Sequence, residues 1–256
     1  MRNIAAIAQK ELRSYFASPI AYIIIGLFAL LYGYFYLVML QYFLRAGINV
    51  GPMGQSQQVM NINQDMLRPV LQNVTILLLF LLPAMTMRTY SEERRSGTIE
   101  LLLTSPLTGW QIILGKFLGV LSLYGVMLAV TLIHIGVLYI YGSPEWRPIV
   151  VSYLGLLLLG GSFLSVGLFI STLTANQIVA YIVTFSVFLM LWVISWLGSF
   201  SSGFFTDITA YLSIIEHFDD FSKGILDTTH VVYYLSLITF GLFLTAKSMD
   251  TERWRG

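Results

Sequence analysis

Cysteine is absent from the 256 residues, which removes disulfides, thiolate nucleophiles and cysteine metal sites together. Charge is almost as scarce. Only 11% of residues are Asp, Glu, Lys or Arg, against roughly 25% in soluble domains. A formal net charge of +1 leaves no bulk basic field to suggest nucleic acid, and none is expected as a partner. No GxxxxGK[ST] phosphate loop occurs, so the chain is not an ATPase by that route. HExxH and GxSxG are missing too, which leaves no zinc-protease helix and no serine nucleophile elbow. With three scattered histidines, nothing predicts a metal site or a cofactor in this chain.

What fills the chain instead is apolar: 57% of it is hydrophobic, in runs that reach the roughly 20 residues a helix needs to cross a bilayer. The fold class is therefore an all-α polytopic membrane protein. Six spans are expected, at about residues 20–44, 69–87, 111–141, 148–171, 177–197 and 231–246. None of their cores holds Asp or Glu, whereas ion-coupled carriers place ionisable groups there as relays. His134 reads as a helix–helix hydrogen-bond donor rather than a proton carrier. Lys116, near the start of an over-long third span, is expected in the headgroup region or snorkelling towards it. Gly155, Gly160, Gly161, Ser162, Ser165 and Gly167 make the fourth span suited to close helix approach.

Tyr90–Trp110 is the one charge-dense stretch between apolar runs. Glu92, Glu93, Arg94, Arg95 and Glu100 crowd its first half, and Ile99, Leu102 and Leu103 then fall at i, i+3 and i+4 on one helical face. Gly97 either admits a close neighbour or lets the helix bend. Ser105-Pro106 stops the element, and Thr108 with Gln111 has capping-box spacing for the third span. Ser143-Pro144 gives a start signal for the fourth span, and Thr174 with Gln177 one for the fifth. A solvent-side amphipathic helix of this kind either touches a partner or lies on lipid headgroups.

Residues 3–16 form a second amphipathic helix. Ile4, Ala5, Ala8, Leu12, Tyr15 and Phe16 share one side, and Lys10 and Arg13 lie on the other. Glu11 intrudes at the edge of the apolar side, where a carboxylate is costly without a partner. An interface anchor and a partner-guiding helix both fit. Residues 45–68 read as a polar external loop. In residues 198–228 acids interrupt too often for a span, which predicts one or two short helices on the outer surface. Both termini inside gives ten inner cations against four outer ones, the positive-inside bias.

Three passages then carry a resemblance: IAQKELRSYFASPIAY at Ile7–Tyr22, YSEERRSGTIELLLTSPLTGWQIILGK at Tyr90–Lys116, and YLSIIEHFDDFSKGILDTTHVVYYLSL at Tyr211–Leu237. With the six-span plan they resemble the permease subunits of ABC-2-type transporters, in the branch of gliding-motility and nitrous-oxide-reductase-maturation permeases. The resemblance covers nearly the whole chain as a single transmembrane domain, 1–256. It implies a dimer, with a second copy or a related permease, that pairs with two ATP-binding subunits in the bacterial inner membrane. ATP and Mg2+ would then be bound by those partners. Tyr90–Pro106 would include the coupling helix, carried by Glu92, Glu93, Arg94, Arg95, Gly97, Ile99, Glu100, Leu102, Leu103 and Pro106. The N-terminal helix, with Lys10, Glu11 and Arg13, would be the connecting helix. The implied function is ATP-driven export by a non-enzymatic subunit. The alternative is a scaffold or mechanotransmitter driving a periplasmic or auxiliary membrane partner. For the substrate, the spans favour an apolar or amphiphilic molecule.

The charge asymmetry makes a direct prediction. Single cysteines introduced at Ser96 and at Gln57 label with an impermeant thiol reagent from opposite sides of the membrane. Labelling of both from one side contradicts six spans with cytoplasmic ends.

Overall fold

The computed structural model describes residues 2–48, 60–99, 107–199, 209 and 211–253. All regular structure among them is helical. Helix α1 (Arg2–Ala17) is followed by α2 (Pro19–Ile48), a π-helical stretch (Ile62–Leu67) that runs into α3 (Arg68–Thr86), and the short α4 (Ser91–Ser96). Then come α5 (Gly109–Tyr141), α6 (Trp146–Leu173), α7 (Gln177–Ser199), α8 (Ile214–Ser222) and α9 (Thr228–Arg253). Six of these helices, α2, α3, α5, α6, α7 and α9, are long and apolar enough to cross a membrane.

Helices α3 and α6 form the centre. Val70, Leu71, Val74, Leu77, Leu78, Leu81 and Leu82 bury α3 nearly all round. Helix α6 buries its small residues, and they set its distances. Gly160 lies under the Tyr124 ring of α5, and Ser162 donates to the Tyr234 carbonyl of α9 at 3.2 Å. The small residues of the fourth span thus serve packing inside the chain. By contrast α2 and α7 leave long apolar faces uncovered, among them Tyr22, Ile23, Leu30, Ile178, Ile182 and Met190. The buried stripe of α2 is aromatic: Phe28, Tyr32 and Tyr36 stack in sequence. His134 of α5 is met edge-on by the Tyr32 and Tyr36 rings, each at 5.0 Å. Its ring Nδ1 is buried without a hydrogen-bond partner among the described residues, so it packs against aromatics instead of donating between helices.

Several expected boundaries move for local reasons. Helix α6 begins at Trp146, not at Ser143-Pro144, because Asn63 intercepts the chain there. Its amide donates to the Glu145 carbonyl at 2.8 Å and accepts from the Glu145 N–H at 3.0 Å. At the start of α7 the cap is Asn176, which accepts from Ile178 and Val179 N–H, while Thr174 accepts from Asn176 itself. The loop expected over 45–68 is shortened at both ends, because α2 runs to Ile48 and Asn61 caps the π-helical turn. Residues 49–59 of it lie outside the described residues. Helix α8 sits against the bundle, bound by Arg68 to Asp219 (2.7 Å) and by Ser152 to the Phe221 carbonyl (2.9 Å).

Asn63→Ala removes two hydrogen bonds that pin the π-helical stretch ahead of α3 to the start of α6. Thermal unfolding is expected to show a loss of about 1–3 kcal/mol, with helix content unchanged.

Candidate functional site

Part of the set singled out in the sequence, Lys10, Glu11, Glu92 and Glu93, comes together at the end of the bundle where α1, α4 and the start of α5 meet. Their meeting begins with two glycines. Gly115 and Gly119 are one turn apart on α5, in the stretch GKFLG, a small-xxx-small pattern. A Cβ on Gly115 would lie 2.6 Å from the Ile7 side chain, and one on Gly119 would lie 2.6 Å from the Glu11 Cβ. Helix α1 therefore lies directly on α5, through Ile4, Ile7, Ala8 and Glu11. Glu11 is at the centre of the contact face and not at its edge, and Ile7 takes the place expected of the exposed Ala5.

Between those glycines stands Lys116, 1% exposed as a residue. Its ammonium donates to Glu11 Oε1 (3.0 Å), Glu93 Oε1 (2.7 Å) and the Thr89 carbonyl (3.0 Å), and lies 4.9 Å from the centre of the Tyr90 ring. An ammonium has three donors, and all three are used. Lys116 does not snorkel, because its partners come to it. One side chain thus joins α1, the turn after α3, α4 and α5.

The turn is fixed from other directions as well. Tyr15 of α1 is buried and donates to the Met85 carbonyl at 2.6 Å, with Thr89 Oγ1 at 3.2 Å. Burial pushes the Tyr15 phenol above its ordinary value and the Thr89 bond only partly offsets this, so the hydroxyl stays a donor. Ser171, near the end of α6, accepts from the Tyr90 and Ser91 N–H groups at 2.9 and 3.2 Å. Ser91 donates to the Met87 carbonyl. Arg88 pairs with Glu92 at 3.1 Å and lies 5.7 Å over the Tyr15 ring.

The charges of Glu92–Arg95 therefore divide. Glu93 turns inward to Lys116, Glu92 closes on Arg88, and Arg95 is exposed. Arg94 lines a groove of about 420 Å³ with Phe169, Leu173 and Lys247. On α1, Lys10 and Arg13 are exposed beside the inward Glu11. Gly97 neither admits a neighbour nor bends a helix. Its φ of +70° is a left-handed cap that ends α4, with nothing within 4 Å of an added Cβ. The four charges and the apolar face expected from Ile99 onward thus lie on different sides of a helix break. Ile99 is helical; Glu100, Leu102, Leu103 and Pro106 lie outside the described residues. Thr108 and Gln111 form both halves of the expected capping box at the start of α5.

The sequence pattern assigns no site role to Thr89 or Ser171, and it gives Lys116 and Tyr15 other roles, a snorkelling cation and one residue of an apolar helix face. The available signals were Glu11, a carboxylate on an apolar face, and a lysine bracketed by two glycines.

Residues 5–250 match the ABC-2 family of transporter proteins. The chain belongs to this family. It is also 30% identical over 149 residues to proteins described as "Probable multidrug ABC transporter permease YbhR" from Escherichia coli K12 and from Escherichia coli O157:H7. That match covers 55% of this chain and 38% of the relatives' own length. The chain is thus a multi-pass membrane permease of the ABC-2 type.

Glu11 reaches Lys116 only because α1 sits on bare backbone. Gly119→Leu is expected to lift α1 from α5, so that a cysteine introduced at Ile7 labels at least several-fold faster than in the otherwise unchanged protein. Equal labelling rates would show that α1 is held by other contacts.

Proposed function

We propose that the chain is the transmembrane subunit of an ATP-driven exporter, powered by ATP hydrolysed in a separate subunit, and that the Lys116 junction carries the mechanical link. Two permease copies, or this chain with a related permease, pair with two ATP-binding subunits at the cytoplasmic face of a bacterial inner membrane. The uncovered faces of α2 and α7 are assigned to the seam between permeases. The gliding-motility and nitrous-oxide-reductase-maturation branch is the reading taken from the three sequence passages.

The observation that carries this reading is the three-way bond of Lys116. A partner pressing on the exposed charges of α1 or α4 cannot shift either helix alone without breaking a charged hydrogen bond in a buried site, where removing one partner costs about 3–5 kcal/mol. Displacement is therefore passed to α5 and, through Ser171, to α6. Glu92, Arg95, Lys10 and Arg13 face outward from this unit and are assigned to guiding the ATPase, while Ile99, Leu102 and Leu103 supply apolar surface for it to cover.

For the cargo, a cavity of about 620 Å³ opens between α3, α7 and α8. Gln72, Asn73 and Thr75 supply polar groups there, and Ile76, Trp192 and Phe218 supply apolar ones. Such a lining suits an amphiphilic molecule.

The test uses the ATPase subunit that purifies with the permease. Glu93→Arg and the double change Leu102→Asp, Leu103→Asp are expected to abolish ATPase stimulation or pull-down, with membrane insertion and oligomer size retained. Normal binding and stimulation in both variants would reject this element as the coupling surface.

A further inference from the structure

At the opposite end of the bundle, two histidines from different helices share one hydrogen bond. His217 of α8 and His230, in the first turn of α9, approach through their Nδ1 atoms at 2.6 Å. His217 Nε2 lies 3.0 Å from the Tyr211 carbonyl, and His230 Nε2 lies 3.0 Å from Asp220 Oδ2. The end partners fix the proton count. A carbonyl and a carboxylate only accept, so both Nε2 atoms carry hydrogen. The Nδ1 pair then needs one more proton between its atoms, as donor for one ring and acceptor on the other. Two imidazoles hold three ring protons, one more than two neutral rings and one fewer than two imidazolium ions.

We infer that His217 and His230 form a single-proton site that latches α8 to the start of the last span, closed when the pair holds one extra proton and opened by gaining a second or losing the first. A second proton turns both Nδ1 atoms into donors facing each other at hydrogen-bond distance. Loss of the shared one leaves two acceptors there, or removes the bond to Asp220 or Tyr211. The closed state binds one extra proton, while the open state binds two at low pH and none at high pH. By linkage, both acid and base favour opening.

The surroundings suit this assignment. Asp220 faces His230 and also binds Lys223 at 2.9 Å. Asp219 binds Lys223 and Arg68 of the α3 end, each at 2.7 Å. Hydrogen bonds from Lys223 and His230 hold the Asp220 carboxyl below the usual carboxylate range. For Asp219, burial pushes upward, but the Lys223 and Arg68 bonds outweigh it. Both acids therefore stay ionised across the range in which histidine titrates. Asp227 lies near His230 with its carboxylate accepting from the Thr229 N–H, and Glu216 is exposed on α8. From α9, Tyr233 stacks on His217 at 3.8 Å, and its hydroxyl and that of Tyr234 are committed to the Leu212 and Ile214 carbonyls. Helix α6 meets α8 through Ser152 and Gly155, which do not titrate. Burial, partly countered by the Tyr211 bond, lowers the His217 pKa.

Helix α8 also walls the cavity between α3 and α7, so opening the latch alters that outer wall. The test uses the full chain in lipid nanodiscs. Ser222→Cys, buried on α8, and Tyr211→Cys, exposed, are labelled in separate samples with the same maleimide, and their rate ratio cancels the thiol's own titration. Between about pH 5 and 9, bracketing the histidine value of about 6.5, the ratio is expected to pass through a minimum and rise severalfold on both sides. In a His230→Asn background it is expected to be flat. A flat or monotonic parent profile, or a minimum that survives His230→Asn, overturns the latch. An independent check on the cysteine-free parent is imidazole 15N NMR. At the pH of that minimum it should show one neutral ring protonated at Nε2 and one doubly protonated ring, and two neutral rings there would equally overturn the proposal.

Discussion

A primary ammonium removed from water has to find three acceptors close by, or its burial is prohibitively costly. Lys116 meets that demand with groups from three separate pieces of chain, and much of this end of the protein is arranged around the demand. The bare backbone at Gly115 and Gly119 lets α1 come close enough to deliver Glu11. The turn after α3 delivers the Thr89 carbonyl, and α4 delivers Glu93. Buried ion pairs are weak evidence for net stability, since well-packed apolar residues often serve as well or better. Their value here is positional: the hydrogen bonds allow one arrangement of the three elements and penalise the rest.

The two ends of the bundle use polar chemistry differently. At the Lys116 end the charges are buried and mutually obligatory, so the elements move together. At the α8 end the charges are half-exposed: Asp219, Asp220 and Lys223 each keep about a third of their side chain accessible. Exposed pairs of that kind contribute little individually, and α8 is held as well by its buried Ile214, Phe218 and Phe221. Between these ends α3 and α6 form a closely packed centre. Under the function proposed above, the Lys116 end is the one that receives force, and under the proposed latch the α8 end is the one that responds to its surroundings.

The six long helices were legible because continuous apolar runs have no other stable use. Thr108 and Gln111 were legible because a capping box is a local, three-residue relation. What failed was competition at short range and pairing at long range. Asn176 displaced Thr174 as the cap of α7, and Asn63, over eighty residues away in sequence, moved the start of α6. Gly97 was recognised as special but not as a stop, because its left-handed φ depends on the chain beyond it. Lys116 was misread because its acceptors lie 23, 27 and 105 residues away. The cost of an unpaired Glu11 was legible in the sequence; the identity of its partner needed the fold.

The central claim, that one ammonium holds α1, the turn with α4, and α5 as a unit, is tested most directly by a double-mutant cycle. Lys116→Met, Glu11→Gln and Glu93→Gln are measured for unfolding free energy singly, in pairs and together. The account predicts strong non-additivity: each single change costs several-fold more than its increment in the absence of the others, with coupling energies of about 1–3 kcal/mol. Single effects that simply add, within about 0.5 kcal/mol, would contradict it and leave the three elements held by packing alone.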